Sequence, residues 1–286
     1  MPGTLFVVAT PIGNLEDLSF RALRTLREVN LIAAEDTRRT AKLLAHYEIR
    51  CSMVSLREHN ETRETPRLLA RLAEGEDIAL VSDAGTPGIS DPGARLVRAA
   101  HARKLRVVPI PGPSAVAAAL SASGFSADQF VFMGFPPSSG AARDRWLEEL
   151  AAERRTTIFF ESPHRIERTL RDARVLLGIR PMTVARELTK INEELVDSQN
   201  GPVNARGEFT VVVSELLAGV ELAEDVAGGG SEANRMFAYL TETLGVSAEL
   251  AWQATAVAFR TTVPRIRKAA KHARYADSAR ERSGLP

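Results

Sequence analysis

The sequence predicts an α/β protein with a mainly parallel sheet, on three observations. Short apolar runs rich in β-branched residues alternate along the chain with segments of helical periodicity, which is the pattern of βαβ units. The clearest runs, LFVVA, LIAA and IALV, are unbroken, as expected of strands that helices cover on both faces. Several of them end in turns dense in glycine and proline, at the edge where open α/β sheets bind ligands.

The first unit is expected over residues 1–113 and opens with the apolar run LFVVA. Its strands are expected at 5–9, 31–34, 52–56, 78–81 and 107–110, and its helices at 19–29, 37–47, 66–73 and 95–102. In the first of these helices the spacing places Phe20, Leu23, Leu26 and Val29 on one face, which is therefore expected to pack on the sheet.

A second unit is expected over residues 114–220, and a small helical region over 231–286 after the glycine run 228–230. Strands are expected at 130–132, 156–160, 183–185 and 209–213, and helices at 114–123, 143–153, 165–177, 232–244 and 248–259. Residues 264–286 hold seven basic and two acidic side chains, a net charge of +5. This basic stretch is the one compositional indication of a polyanionic partner.

The composition is that of an ordinary globular protein, with 44% hydrophobic and 26% charged residues and a formal net charge of +1. Nucleic-acid binding would therefore need a local basic patch. The single cysteine, Cys51, excludes a disulfide within the chain and favours a reducing, cytoplasmic compartment. The N-terminal residues lack the basic region of a signal peptide, and no apolar run approaches the roughly 18–20 residues of a membrane span.

Three glycine- and proline-rich turns each follow a predicted strand: residues 10–15 (TPIGNL), 81–93 (VSDAGTPGISDPG) and 111–115 (PGPSA). Any one of them could be a purely structural turn, the first above all, since G-x-G-x-x-G is absent. Together they predict one composite ligand crevice at the carboxyl edge of the sheet. The N–H groups that open the helix after Ser114 could hold a polar ligand group, and Ser114 could also cap that helix.

The middle turn carries two aspartates with different expected roles. Asp91 is expected to cap the helix that follows. Asp83 ends a strand, and its carboxylate could accept hydrogen bonds from ribose hydroxyls or from an amino group of a ligand. A plain connection would not need three glycines and two prolines within 13 residues, so a functional role of this loop is favoured.

Two charged motifs follow strands of the second unit. Residues 161–165 (ESPHR) place His164 and Arg165 at a helix start, where the guanidinium suits phosphate and the imidazole could exchange a proton near neutral pH. Residues 185–190 (ARELTK) could equally be a solvated charged loop. The chain has no Walker A, H-E-x-x-H, C-x-x-C or G-x-S-x-G sequence, so the signatures of P-loop kinases, common zinc sites and α/β-hydrolases are missing.

With these stretches side by side, the chain resembles the tetrapyrrole methylase superfamily and, within it, the family of ribosomal RNA small-subunit 2′-O-methyltransferases I. The matching stretches are ATPIGNLEDLSFRAL (9–23), AAEDTRRTAKLL (33–44), EHNE (58–61), LVSDAGTPGISDPG (80–93), VVPIPGPSAVAAALSASG (107–124), FMGFPP (132–137), FFESPHRI (159–166) and ARELTKINEEL (185–195). Of these, SDAGTPGISDPG and ESPHRI separate the family from its corrin-modifying relatives.

The resemblance implies a two-domain tetrapyrrole-methylase-like α/β fold with a small C-terminal helical appendage, S-adenosylmethionine in the cleft between the domains, and usually a homodimer. The residues expected around the cofactor are Thr10, Pro11, Ile12, Gly13, Asp83, Ala84, Gly85, Thr86, Pro87, Ser114, Ala115, Phe160, Ala185 and Arg186. The side chains expected to contact RNA are Arg38, Arg39, Arg165 and Lys190.

The implied activity is transfer of a methyl group from S-adenosylmethionine to the 2′-hydroxyl of a cytidine ribose in small-subunit ribosomal RNA. That hydroxyl is a poor nucleophile until its proton leaves, so a general base is expected, with Glu161, Glu187 and His164 as candidates in that order. No metal is required. Two alternatives stay open: a tetrapyrrole (corrin precursor) C-methyltransferase on the same fold, and a non-catalytic RNA-binding ribosome-assembly factor that would retain RNA without binding S-adenosylmethionine.

Overall fold

The computed structural model describes residues 1–177, 180–197, 203–216, 230–243, 248–258 and 266–267. The chain forms two compact units. Unit 1 consists of Met1–Ala122 and Glu187–Glu194, and unit 2 of Ser123–Arg186 and the residues from Leu195 onward. The change of unit therefore falls nine residues after the boundary expected at 113, and the short segment 187–194 returns to unit 1.

Unit 1 is built from alternating strands and helices, as the sequence predicts. Its elements are β1 Thr4–Val8, α1 Phe20–Glu28, β2 Leu31–Ala34, α2 Thr37–His46, β3 Ser52–Ser55, α3 Glu61–Ala73, β4 Ile78–Val81, α4 Ala94–Ala102, β5 Arg106–Ile110 and α5 Ala115–Ser123. The strands form one sheet in the order β3-β2-β4-β1-β5, and each recorded pairing in it is parallel. The predicted α/β class is confirmed.

The sheet of unit 1 is covered on both faces, which explains why the strands β2 and β4 are apolar and buried at every position. One face packs under α3 and α4, with Leu68, Leu72 and Leu96 buried against it. The other packs under α1 and α2, with Leu26 and Leu44 in the core. Because all five strands run the same way, the turns that follow them lie at one carboxyl edge.

Helix α1 buries the predicted face except at Phe20, since Leu26 and Val29 lie in the core and Leu23 packs against it. Phe20 is 90% exposed, whereas Ala22 and Leu26 are fully buried. The expectation that Phe20 belongs to the core face is wrong, because the core stripe follows Ala22, Leu26 and Val29 at helical spacing. The Ser19 hydroxyl accepts a hydrogen bond from the Ala22 N–H and so sets the helix start at Phe20.

Unit 2 contains a mixed sheet with helices around it. Its elements are β6 Phe130–Phe132, α6 Gly140–Ala152, β7 Thr156–Glu161, α7 Ile166–Leu177, β8 Met182–Arg186, β9 Glu194–Asp197, β10 Phe209–Val213, α8 Gly230–Ala238 and α9 Ala248–Ala258. The strand order is β6-β7-β10-β8-β9. β6 and β7 are parallel, but β10 runs antiparallel to both β7 and β8, so the mainly parallel arrangement holds for unit 1 alone.

The core of unit 2 lies under α6, α7 and α9. Trp146 and Phe159 meet edge to face there, with ring centroids 5.1 Å apart. The helices α8 and α9 confirm a helical C-terminal region. Most of the predicted basic stretch 264–286, and residues 228 and 229 of the predicted linker, lie outside the described residues. Of the helices in the described part of the chain, none is long and apolar enough to cross a membrane.

Candidate functional site

The three glycine- and proline-rich turns of unit 1 meet at the carboxyl edge of its sheet. They follow β1, β4 and β5, which are neighbours in the sheet order. Thr10 and Gly85 form an antiparallel bridge with two backbone hydrogen bonds of 2.9 and 3.0 Å. The Thr86 hydroxyl donates to the Pro113 carbonyl at 3.4 Å. The structure thus ties together three turns that lie far apart in the sequence.

Gly85 is required at the centre of this arrangement. Its φ of +74° lies in the left-handed region, which other residues rarely adopt. A Cβ atom there would also lie 3.3 Å from the Ile12 side chain. A glycine at this position therefore lets the second turn approach the first.

The segment 187–194 supplies a fourth part of this edge. The Asn14 N–H donates to the Thr189 hydroxyl at 3.0 Å. A Cβ on Gly13 would lie 2.4 Å from Cγ of Lys190 and 2.9 Å from the Leu188 carbonyl oxygen. This close approach is possible because position 13 carries no side chain. The predicted motif ARELTK is therefore packed against the predicted turn TPIGNL.

The backbone of this segment is strained at two residues. Glu187 and Thr189 have φ values of +50° and +65°, which cost free energy for residues other than glycine. The Glu187 carboxylate lies 2.8 Å from the Lys190 ammonium, and both side chains are largely buried. Thr189 is held by the Glu193 carboxylate, which accepts its N–H at 2.7 Å. Strain that neighbouring contacts maintain is typical of functional sites.

Asp83 is engaged by the protein itself. Its Oδ1 accepts the Asp36 N–H at 2.9 Å, and its Oδ2 lies 3.4 Å from Nη1 of Arg39. The Asp83 N–H in turn donates to the Glu35 carboxylate at 3.2 Å. Asp83 therefore joins the end of β4 to the start of α2. The geometry favours a positioning role over the ligand-binding role expected from the sequence.

Asp91 does not cap α4, contrary to the expectation. The helix begins after Gly93, which makes no side-chain cap bond. The Glu61 carboxylate, at the start of α3, accepts the N–H groups of Gly93 and Arg95 at 3.1 and 3.0 Å instead. The negative charge still sits at the helix N-terminus, where the helix dipole favours it, but it comes from a distant part of the sequence.

The carboxyls near Asp83 have raised pKa values. Burial raises the pKa of Asp91 to about 6, and the negative charges of Glu35 and Asp83 add to this, while a hydrogen bond from the Ser82 side chain opposes it. Burial also raises the pKa of Glu35, while the hydrogen bond from the Asp83 N–H lowers it and the negative charge of Asp83 raises it. Both carboxyls therefore favour the protonated form more than they would in water.

Asp91 should make the stability of the protein depend on pH. Its pKa is raised on folding, so the stability linked to it is present below the ordinary value near 4 and is lost as the pH rises through about 6. As the pH is raised from 4.5 to 7.5, we expect the free energy of unfolding of Asp91→Asn to increase relative to that of wild type. Denaturant unfolding at the two pH values measures this change, and an equal difference between the two proteins at both would contradict it.

The edge offers the polar groups that a nucleoside-containing cofactor needs. Within the described chain, the backbone N–H groups of Ile12, Ala84 and Thr86 have no hydrogen-bond partner. At the start of α5 the Ser114 hydroxyl accepts the Ala117 N–H at 3.5 Å, consistent with the predicted cap. Free donors beside a glycine-lined turn fit a small polar ligand such as S-adenosylmethionine.

A substitution at Gly13 tests whether the carboxyl edge of unit 1 binds the methyl donor. We expect Gly13→Ala to weaken S-adenosylmethionine binding at least tenfold, because the added Cβ must displace residues 188–190 or the turn itself. Isothermal titration calorimetry measures the affinity. Gly124→Ala is the control, since nothing lies within 4 Å of a Cβ there and only the strain of its φ of +75° is added. An equal loss of affinity in both variants would contradict the prediction.

In unit 2, Glu161 is buried and fully engaged. Its Oε1 accepts the Ser162 N–H at 2.7 Å and lies 2.9 Å from Nη2 of Arg165, and its Oε2 accepts the Thr169 hydroxyl at 2.6 Å. The side chain is 0% exposed. These contacts suit a carboxylate that positions its neighbours better than one that takes a proton from a substrate.

Sequence reasoning missed the arginine that completes this network. Arg143, on α6, is 1% exposed. Its Nη2 donates to the Thr169 hydroxyl at 3.1 Å and to the Asp172 carboxylate at 3.0 Å, and its Nη1 donates to the Pro137 carbonyl at 3.3 Å. Arg165 donates to the adjacent Pro136 carbonyl at 2.9 Å. Two arginines thus hold the loop after β6, and only the tertiary structure shows it.

The other candidates of unit 2 have mixed surroundings. Phe160 packs between Phe132 and Phe135, with ring centroids 4.9 and 5.4 Å away. His164 is exposed at the start of α7. Ala185 is buried in β8, and Arg186 beside it donates to the Arg206 carbonyl at 2.7 Å. Their roles in cofactor binding or catalysis stay predictions.

The four cations expected to contact RNA each lie beside a carboxylate. Arg38 pairs with Asp36 at 2.8 Å and lowers the pKa of that carboxyl well below its usual range. The other pairs are Arg39 with Asp83, Arg165 with Glu161 and Lys190 with Glu187. Arg38 and Arg39 remain mostly exposed on α2, whereas Arg165 and Lys190 are largely enclosed. Within the described residues, no group of three or more His, Cys, Asp or Glu side chains is placed to hold a metal ion.

Comparison with known proteins identifies close relatives. The family described as Tetrapyrrole (Corrin/Porphyrin) Methylases matches residues 4–201. The chain is 48% identical to Ribosomal RNA small subunit methyltransferase I of Xylella fastidiosa strain Temecula1, over 85% of this chain and 90% of that protein. It is also 48% identical to the protein of the same name from Pseudomonas aeruginosa, over 89% and 93% of the two chains.

Solved structures with the same fold include enzymes with other names. Uroporphyrin-III-C-methyltransferase from Thermus thermophilus superposes with a TM-score of 0.52 at 18% identity, over 74% of this chain and 94% of that one. A diphthine synthase superposes with a TM-score of 0.57 at 14% identity, over 76% and 92% of the two chains. At such low identity the likeness concerns the fold, and function has to be argued from the site.

Proposed function

The chain belongs to the tetrapyrrole methylase family, among the small-subunit ribosomal RNA methyltransferases I, and from this we propose that it methylates the 2′-hydroxyl of a cytidine ribose in small-subunit ribosomal RNA with S-adenosylmethionine as donor. The observation that carries the proposal is the 48% identity over nearly the whole of both chains, against 18% for the tetrapyrrole enzyme of the same fold. The composite edge of unit 1 supports it, because the family's motifs form that edge.

The donor would bind at the carboxyl edge of unit 1. The turns after β1, β4 and β5 would surround it, with the free N–H groups of Ile12, Ala84 and Thr86 as hydrogen-bond donors. S-adenosylmethionine supplies an activated methyl group on a positively charged sulfur. The protein's main contribution would be to place the acceptor hydroxyl in line with that methyl, since orientation alone can provide a large part of the acceleration.

Glu187 is the best placed of the three candidate bases. It lies on the segment packed against Gly13, in the unit that would hold the donor. Its strained backbone and its ion pair with Lys190 fix the carboxylate in one place. In this role its carboxylate oxygen would take the proton of the 2′-hydroxyl as the oxygen attacks, and the Lys190 ammonium would hold the carboxylate in position.

Glu161 and Arg165 would then act through the loop they hold. Arg165 and Arg143 fix the carbonyls of Pro136 and Pro137, and Glu161 orients Arg165. The loop held in this way carries Phe135, which is half exposed and packs beside Phe160. On α2, the exposed Arg38 and Arg39 are the cations available to RNA phosphates, and binding through them should weaken as salt rises.

The direct test is transfer of labelled methyl from S-adenosylmethionine to small subunits isolated from cells that lack this protein. We expect label in a ribose 2′-O position of the RNA with wild type, and much less with Gly13→Ala. Methylation of a corrin precursor but not of RNA would establish the tetrapyrrole alternative. RNA binding without any S-adenosylmethionine binding would establish the assembly-factor alternative. The homodimer stays a prediction, which sedimentation of the purified protein would test.

A further inference from the structure

The exposed Phe20 stands in a row of arginines on α1. Phe20, Arg24 and Arg27 are spaced four and three residues apart, which places them on one face of the helix, and all three side chains are exposed. We call these three residues the α1 strip. Arg21 lies beside it. None of them belongs to the core face formed by Ala22, Leu26 and Val29. Core packing therefore does not account for an aromatic residue at position 20.

The charges of the α1 strip are available to a partner. Within the described part of the chain, Arg21 and Arg24 form no ion pair and no side-chain hydrogen bond. Arg27 donates to the Tyr47 carbonyl at 3.2 Å, which leaves its charge uncompensated. This distinguishes the α1 strip from Arg38, Arg39, Arg165 and Lys190, each of which faces a carboxylate. Helices α1 and α2 together carry six basic side chains and the single acid Glu28, a net charge of +5.

The α1 strip begins at the edge of unit 1 where the donor would bind. The chain runs from the turn after β1 through a short 3-10 turn, Leu15–Asp17, into the start of α1. Helix α2 also begins at this edge and packs on the same face of the sheet as α1. Phe20 and the exposed Arg38 and Arg39 at the start of α2 therefore lie at this edge, and Arg24 and Arg27 follow along α1 away from it.

Resting on the proposed function, we infer that the α1 strip binds a single-stranded segment of the RNA substrate, with a base stacked on Phe20 and phosphates against Arg24 and Arg27. An exposed aromatic ring beside unpaired arginines is the combination that single-stranded nucleic acids recognise. A single-stranded RNA also supplies a regular row of negative phosphates, which the unpaired arginines of the α1 strip lack within the protein.

Two single substitutions separate stacking from charge. The probe is a single-stranded RNA oligonucleotide from the methylated region, measured by fluorescence anisotropy over a range of salt. We expect Phe20→Ala to weaken binding about tenfold without changing the salt dependence. We expect Arg24→Ala to lower the slope of log affinity against log salt by about 0.7, as for the loss of one phosphate contact to a single strand.

Arg98→Ala is the matched control for charge. Arg24 and Arg98 are both exposed and each is the fifth residue of a nine-residue helix, but α4 packs on the other face of the sheet. We expect this variant to bind like wild type. Phe20→Trp should retain affinity, whereas Phe20→Leu should lose it. Full binding by Phe20→Leu, or an equal effect of Arg24→Ala and Arg98→Ala, would overturn the inference.

The outcomes also separate this inference from the proposed function. If wild type neither binds S-adenosylmethionine nor methylates small subunits, the proposed function fails. If it does both, and Phe20→Ala and Arg24→Ala bind the oligonucleotide with unchanged affinity and salt dependence, only the inference fails. If Phe20→Ala and Arg24→Ala bind the oligonucleotide normally but bind whole small subunits weakly, the α1 strip contacts a protein of the subunit. That result would also overturn the inference.

Discussion

Replacing Glu187 with glutamine is expected to lower kcat for RNA methylation by about 10²–10⁴-fold, the usual contribution of a general base. Glutamine keeps the size of the side chain and can still accept a hydrogen bond from Lys190, so the segment 187–194 should stay in place. S-adenosylmethionine affinity should therefore change little. Single-turnover methylation of small subunits measures the effect on the chemical step without a contribution from product release.

The pH profile decides whether the glutamate acts as a base. A general base has to be deprotonated to act, so wild-type kcat should fall at low pH, and a variant that lacks the base should lack that fall. His164→Ala is the comparison, because His164 is the candidate base whose side chain is exposed. Retention of the acidic limb by Glu187→Gln, together with its loss in His164→Ala, would transfer the role to the histidine.

Replacing Arg143 with methionine is expected to destabilise the protein by about 3–5 kcal/mol, which is the usual cost of removing one partner of a buried ion pair. Asp172 would lose its partner at 3.0 Å and keep only Arg168, whose Nε lies 3.7 Å away. The Thr169 hydroxyl and the Pro137 carbonyl would each lose a hydrogen bond as well. Denaturant unfolding measures the change in the free energy of unfolding.

Two further variants show whether burial is the cause. Arg155→Ala removes an arginine that pairs with Glu153 at 2.6 Å on the surface, and it should cost less than about 1 kcal/mol. The double variant Arg143→Met with Asp172→Leu should recover much of the loss, because no unpaired charge is left in the core. A cost below about 1 kcal/mol for Arg143→Met alone would show that the network contributes little to stability.

Sequence reasoning placed Glu161 first among the candidate bases because it could not show the contacts that surround this carboxylate in the structure. A carboxylate followed by Ser-Pro-His-Arg resembles an acid–base motif, and nothing local shows that Thr169 and Arg165 will occupy its oxygens. Arg143 precedes Asp172 by 29 residues and gives no local signal. Buried ion pairs depend on which helix faces cover the sheet, and residue spacing does not contain that information.

By itself, the sequence determined the α/β class, the strands of both units except β9, and the three turns at the carboxyl edge of unit 1. These follow from local chemistry, because apolar β-branched runs form strands and glycine and proline end them. The tertiary structure alone decided that Glu61 caps α4, that Arg39 faces Asp83, that segment 187–194 returns to Gly13, and that Phe20 faces solvent. The physical reason is that each of these facts concerns two parts of the chain whose separation is set by packing, since a side chain's partner depends on what the fold brings beside it.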